Sequence, residues 1–345
     1  MRRRGRGCGS LVGLAAGALL LVAAGGYTAF WFIAATRLED RLGQLAQFLR
    51  PHKVDLSWQR LQVGGFPLAL RVEFGGLELR DRAPPAASVM RLAHLIAAAA
   101  PWNLFAWHLA APDGVVIAAG SGPAPIATIA ARTASGMLLL PSAGGARAWF
   151  DLQEPHADSR ITLAAQNARL WLILPPHPPQ SDEDPALGFA VDAHRLSLPA
   201  LPPPFRNPLD ELAFGVTVRG PVPTAPPRQA AAAWRDAGGT ADIDHVALRS
   251  GRLTIGGSGT VALDRDLQPE GAFSLAIEDY PALLDALVAE KRLTRDDARL
   301  AGLALALLAR RGPDGKPEIR TSLSMQNGKM FLGPVAIGPA PHIAW

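Results

Sequence analysis

The run Leu68–Ala69–Leu70–Arg71–Val72–Glu73–Phe74–Gly75–Gly76–Leu77–Glu78–Leu79–Arg80 decides the fold. Apolar residues alternate with small or charged ones on both sides of the glycine pair. A period of two puts successive side chains on opposite faces, so the run reads as half-buried strands of an antiparallel sheet. Gly75–Gly76 between the two runs predicts a hairpin turn.

Upstream, Val54, Leu56 and Trp58 alternate in the same way. Downstream, the pattern is clearest after Thr240. Val246 with Leu248, Leu253 with Ile255, Val261 with Leu263, and Phe273 with Leu275 and Ile277 predict four successive strands of a meander. Turns are expected at Ser250–Gly251, Gly256–Gly257 and 264–266. Two helices follow. Pro281 opens the first, with Leu283, Leu284, Leu287 and Val288 on one side. Thr294 caps the second through Asp297, and Leu300, Leu303, Ala304, Leu307 and Leu308 trace a stripe expected in the core. Closing strands at 319–325 and 330–335 flank Asn327–Gly328, a hairpin signal.

The middle, 84–235, is less legible. Residues 91–100 fit helix or strand, and 161–174 favour strand, with a polar break at Gln166–Asn167. Phe214, Val216 and Val218 predict a strand that ends at Gly220–Pro221. Residues 229–237 read as a short helix closed by Gly238–Gly239, and 202–204 as a stiff proline linker. The expected class is mainly β (α+β): a large curved antiparallel sheet with a few packed helices, preceded by one transmembrane helix.

That helix lies in the uncharged run between Arg6 and Arg37. About 20 apolar residues cross a bilayer as a helix, and 11–35 suffices. Arg2, Arg3, Arg4 and Arg6 precede it, so the positive-inside rule places a basic stub, 1–10, in the cytoplasm. Tyr27, Phe30, Trp31 and Phe32 at the far end suit an aromatic belt. A cleaved signal peptide is the rival, with small residues at Ala24–Gly25–Gly26, but the apolar character continues to Ala35. Leu38, Leu42, Leu45 and Leu49 predict a stalk helix over 37–50 that Pro51 stops. The rest, 52–345, is expected to be an exported β-rich domain, divisible as 52–220 and 221–345.

Of 34 basic residues, four lie in the stub, which holds no acid; the rest of the chain carries 30 of each sign. The exported part is therefore neutral, and nucleic acid, which needs a basic excess on the domain, is excluded as a partner. The single cysteine, Cys8, permits no disulfide within the chain.

Trp58 and Gly64–Gly65–Phe66–Pro67 near the anchor carry a family resemblance. So do Trp234 with Gly238–Gly239, the glycines around Ser258, Asn327–Gly328, and Gly333–Pro334. Together they resemble the bacterial domain of unknown function 2125 family. The resemblance implies an exported, inner-membrane-anchored, β-rich domain, periplasmic in bulk, and no established activity. A looser likeness to AsmA-like envelope proteins lies in the closing order of strands, paired helices and hairpin. Physically, Gly64–Gly65 permits a bulge or close backbone approach, Phe66 reads as a core anchor, and Gly333–Pro334 as the end of the last strand.

The sequence assigns no catalytic, metal or cofactor residue. Gly256–Gly257–Ser258–Gly259 lacks the helix and lysine of a phosphate loop and reads as a turn. Asp264, Asp266 and Glu270 lack calcium-loop spacing. Asp242, Asp244 and His245 have no second histidine nearby, and no serine-nucleophile elbow exists. Trp102, Trp107, Trp149, Trp171 and Trp234 read as core or interface before lipid groove. The leading expectation is a non-enzymatic envelope protein that binds or scaffolds, with lipid as the sharper partner and another envelope protein as the alternative. An envelope hydrolase is the distant third.

Overall fold

The structure, a computed structural model, describes residues 8–82, 87–120, 125–159, 162–199, 205–289, 291, 294–311, 317–333 and 335–343. The expected linker at 202–204, Pro334 and the terminal Trp345 lie outside these residues.

The segments expected to be anchor and stalk form one helix, α1 (Cys8–Leu49), ended by a 3-10 turn that contains Pro51. At 1.5 Å per residue its 42 residues extend roughly 63 Å, about twice a hydrocarbon core. Residues 21–26 are exposed, whereas Trp31, Ala35 and Ala46 are buried. The stalk stripe is therefore Leu38, Leu42 and Ala46, with Leu38 and Leu42 packed on the core and Leu45 turned outward.

Long strands follow, most of them broken once. β1 (Val54–Ser57) and β2 (Arg60–Gly64) lie end to end along β3 (Leu70–Asp81), which pairs with β4 (Ser88–Ala100). β5 (Asn103–Ala111) and β6 (Val115–Ala119) share the other edge of β4. β7 (Ala127–Ala131) and β8 (Thr133–Leu139) come next, then β9 (Ala146–Gln153) and β10 (His156–Asp158), then β11 (Leu163–Ala164) and β12 (Asn167–Leu174). From there the meander is simple: β13 (Pro185–Leu196), β14 (Leu209–Arg219), β15 (Thr240–Ser250), β16 (Leu253–Leu263) and β17 (Pro269–Glu278) each pair with the next. β17 pairs with β19 (Pro317–Gln326), whose far edge takes β18 (Arg310–Arg311) and β20 (Lys329–Leu332); β21 (Val335–Pro339) pairs with β20. Helix α2 (Pro227–Asp236) joins β14 to β15, and α3 (Tyr280–Ala289) and α4 (Arg295–Leu308) join β17 to β18. One antiparallel sheet thus holds every strand among the described residues.

The expected hairpin at Gly75–Gly76 is instead a crease inside β3. Leu70, Val72 and Phe74 before it and Leu77 after it are all buried, so the alternation slips by one residue there. Gly76 takes φ +61°, and Gln59 lies where its Cβ would be. Parallel breaks at Gly114, Glu154 and Arg195, also at positive φ, carry the crease across the sheet.

Gly256–Gly257 is likewise no turn. β16 runs straight through 253–263, so the expected four strands from 246 to 277 are three. Gly333–Pro334 does not end the last strand, because β21 follows it. The Asn327–Gly328 turn has φ +53° and +69°, as a two-residue hairpin of this type needs. Thr294 caps α4 by accepting the Asp297 N–H at 3.1 Å. The α4 stripe is not core where it is visible: Leu300 and Leu303 are 67% and 68% exposed.

Candidate functional site

Strand alternation sorts the sheet into two chemically different faces. On one, Val63, Val72, Ala97, Leu109, Gly136, Phe150, Leu170, Val191, Phe214, Val246, Gly257 and Leu275 stand in a single cross-strand row. The row contains no polar side chain. A neighbouring row is equally apolar: Leu152, Ala168, Ala193, Leu212, Leu248, Ile255, Ile277 and Ile319. At about 4.8 Å per strand the first row extends roughly 50 Å.

Three face glycines show that neighbouring strands crowd together on this side. A Cβ at Gly136 would fall inside van der Waals contact of the Trp149 carbonyl oxygen, and one at Gly259 inside that of Ala272. At Gly257 it would stand 2.6 Å from the Ser274 oxygen and 2.7 Å from Leu275 Cδ2. The glycines that read as a phosphate-loop candidate or turn serve this approach.

The helices pack mainly at the two ends of this face. α1 lies on β1 and β2, and α2, α3 and α4 lie against β16 and β19. Between them the apolar side chains are half-buried by one another. Leu172 and Phe189, paired across β12 and β13, are 36% and 37% exposed.

The opposite face is mixed: Met137, Trp149, Trp171 and Ala190 form an apolar row there, and charged rows lie beside it. Asp151, Arg169 and Asp192 form one cross-strand row, and Gln153, Asn167 and His194 the next. They line a shallow cleft of about 180 Å³. Arg169 Nε contacts Asp151 Oδ1 at 2.5 Å, and His194 Nε2 stands 3.5 Å from Asp192 Oδ1. Asn167 Oδ1 and the same Asp192 oxygen have no hydrogen-bond partner. No serine, threonine or cysteine lines the cleft, so it offers carboxylates and an imidazole without a hydroxyl or thiol nucleophile. The row continues through Glu211 and Arg249, joined at 2.6 Å.

Asp242 and Asp244 also face this side. Asp242 receives Arg219 Nε at 2.5 Å and the Thr260 hydroxyl at 3.0 Å, and Asp244 receives the Thr217 hydroxyl at 2.9 Å. The Arg219 guanidinium, and less strongly the Thr260 hydroxyl, hold the Asp242 carboxyl below its usual range against the opposing effect of burial. His245 lies over Gly215 at a bulge. Asp264 Oδ1 accepts the Asp266 and Gln268 N–H groups at 2.8 Å each, closing its own turn. Among the described residues no three histidine, cysteine or carboxylate side chains converge as metal ligands.

The motif residues near the anchor form the joint between α1 and the sheet. The Trp31 indole N–H donates to the Ala69 carbonyl at 2.9 Å, and the Tyr27 hydroxyl donates to the Pro67 carbonyl. The Phe66 ring meets Trp31 edge-on at 5.5 Å and stacks with Phe32 at 6.0 Å. Gly65, at φ +95°, leaves no room for a Cβ beside the Ala69 oxygen, so the turn closes only with glycine. Gly64 is in open space. Phe66 is 48% exposed, a docking residue on the helix rather than a core anchor.

The other motif residues lie elsewhere and make no common site. Trp58 packs edge-on against Phe74 in the core. Trp234 donates its indole N–H to the Arg219 carbonyl at 2.6 Å, with Gly239 against its ring and Gly238 beside Asp182. Asn327–Gly328 and Gly333 are turns. Of the other tryptophans, Trp107 packs on the core, Trp149 and Trp171 pair on the opposite, mixed face, and Trp102 is 71% exposed at a turn.

Fold and joint define a class: an N-terminal apolar helix docked on one end of a long antiparallel meander with one apolar face. The chain belongs to the domain of unknown function 2125 family, described as an uncharacterized protein conserved in bacteria, whose model matches residues 31–341. No curated protein and no solved structure matches the chain. The AsmA-like resemblance therefore gains no support from them.

Proposed function

We propose that this is a membrane-anchored, non-enzymatic lipid-binding protein of the bacterial envelope, whose apolar sheet face receives acyl chains. The observation that carries this reading is the uninterrupted apolar row from Val63 to Leu275; among the described residues the helices lie mainly against β1, β2, β16 and β19. Its length exceeds the ~15 Å that one leaflet's chains occupy, and each methylene taken from water contributes about 0.8 kcal/mol.

Residues 11–30 are the membrane span in this reading, with the stub cytoplasmic and the sheet periplasmic. Trp31 and Ala35 are buried against protein, so the helix passes from lipid to sheet near Tyr27. The apolar run continues past the small residues Ala24–Gly25–Gly26 to Ala35, which supports a retained anchor over a cleaved signal.

Native mass spectrometry of the detergent-extracted full chain, with lipidomics of what co-purifies, tests the function. Lipid enriched over an unrelated single-helix anchored protein is expected. No enrichment would remove the lipid reading and leave a protein scaffold.

A further inference from the structure

The end of the sheet that meets α1 has an unusual chemistry. Its first three turns span residues 64–70, 100–106 and 139–146, and none contains a charged side chain. The turns are neighbours: Leu70 pairs with Ala99, Ala100 with Asn103, and the Leu140 N–H donates to the Phe105 carbonyl at 2.7 Å. Their large apolar side chains point to solvent. Leu68 is 72% exposed, Trp102 71% and Phe105 55%. The next turn along this end, 175–184, carries Asp182, Glu183 and Asp184.

A water-facing sheet end carries charges at its turns, and exposed aromatics grouped without them mark a contact surface. The adjoining helix says what the contact is. Tyr27 and Trp31 hydrogen-bond Pro67 and Ala69, so the first turn sits level with the aromatic end of the apolar run. Phe30, Phe32 and Ile33, each about half exposed, continue the apolar surface onto the helix.

We propose that these three turns are a second membrane contact: Leu68, Trp102 and Phe105 seat in the interface of the leaflet that α1 enters, and hold the adjoining end of the apolar face at the bilayer surface. Tryptophan and phenylalanine at headgroup depth suit this position. The fourth turn, acidic, marks where the sheet leaves the membrane. This proposal rests on the anchor reading of α1 but not on lipid occupying the sheet face.

The test uses the full chain with Cys8→Ser as background, reconstituted in vesicles of phosphatidylethanolamine and phosphatidylglycerol. Single cysteines replace Leu68, Trp102, Val22 or Arg252 and carry an environment-sensitive fluorophore. All four positions are well exposed, so little packing is lost. Doxyl-labelled lipids then quench by depth. Labels at 68 and 102 are expected to be blue-shifted and to lose most of their emission to a doxyl near the headgroup. The label at 22 should respond to a deep doxyl, and the one at 252 to neither. Quenched 22 with unquenched 68 and 102 overturns the proposal alone. An unquenched 22 overturns the anchor reading as well. Lipid co-purification reports separately on the sheet face.

Discussion

The Trp31 indole donates its N–H to the Ala69 carbonyl at 2.9 Å, across 38 residues of sequence. This bond ties the apolar helix to the turn that opens β3. Trp31 is 4% exposed, and Leu70, one residue past its partner, is 1% exposed. The helix is therefore part of the folded core at this end.

Trp31→Ala should cost about 3–5 kcal/mol, the range for truncating a buried aromatic. Trp31→Phe keeps most of the packing and leaves the Ala69 carbonyl short of a donor, for about 1–2 kcal/mol. Urea unfolding in detergent, followed by far-UV circular dichroism, should rank the two in that order. Equal stability of all three proteins would mean that the helix is only a tether.

Two glycines give opposite expectations. Gly136→Val places side-chain atoms against the Trp149 carbonyl and the Phe150 ring, and should destabilise by at least about 1–3 kcal/mol. Gly64→Ala meets nothing within 4 Å and should be within about 0.5 kcal/mol of the parent. Thermal midpoints in one detergent compare them.

Asp242 should contribute an acid-sensitive increment. Its folded pKa is lowered, so its stabilisation is present above the unfolded value of about 3.9 and is lost as pH falls through the folded value. Asp242→Asn should therefore cost about 1 kcal/mol at neutral pH. The difference from the parent should shrink below pH ~4, read from urea midpoints at stepped pH.

Phe189 is exposed on the apolar face between the helix-covered ends. Phe189→Asp places a charge where acyl chains are proposed to lie, and Phe189→Ala, which removes the same ring without the charge, is its packing control. Co-purifying lipid should fall by at least about tenfold, since one unpaired buried charge costs several kcal/mol. Far-UV circular dichroism should stay unchanged.

Strand periodicity made the sheet and its ends legible, because alternation is a local signal. Phe214, Val216 and Val218 stand where that signal put them, and the Asn327–Gly328 turn and the Thr294 cap where their own local motifs did. Glycine pairs misled. Gly75–Gly76 and Gly256–Gly257 are locally indistinguishable from turns, yet one is a crease and the other a close approach that Leu275 and the Ser274 carbonyl dictate from the next strand. The strands between Asn103 and Asp158 were hidden by alanine and glycine, whose small side chains blunt alternation. The helix joint was partly visible. Phe66–Pro67 stood out as a motif, and Tyr27 and Trp31 as an interface belt, but only the fold shows that they meet. The two faces emerge only when register lines up residues such as Phe150 and Leu170 across strands.

The claim that lipid lies on one face has a direct test in that same register. A photoreactive residue placed at Leu172 or Phe189 looks onto the apolar face, and one placed at the adjacent Trp171 or Ala190 onto the opposite face, beside the charged Asp151–Arg169–Asp192 row. Irradiation of the full chain in native membranes, followed by mass spectrometry, should give lipid adducts at 172 and 189 and few at 171 and 190. Adducts on neither face, or equally on both, would contradict it.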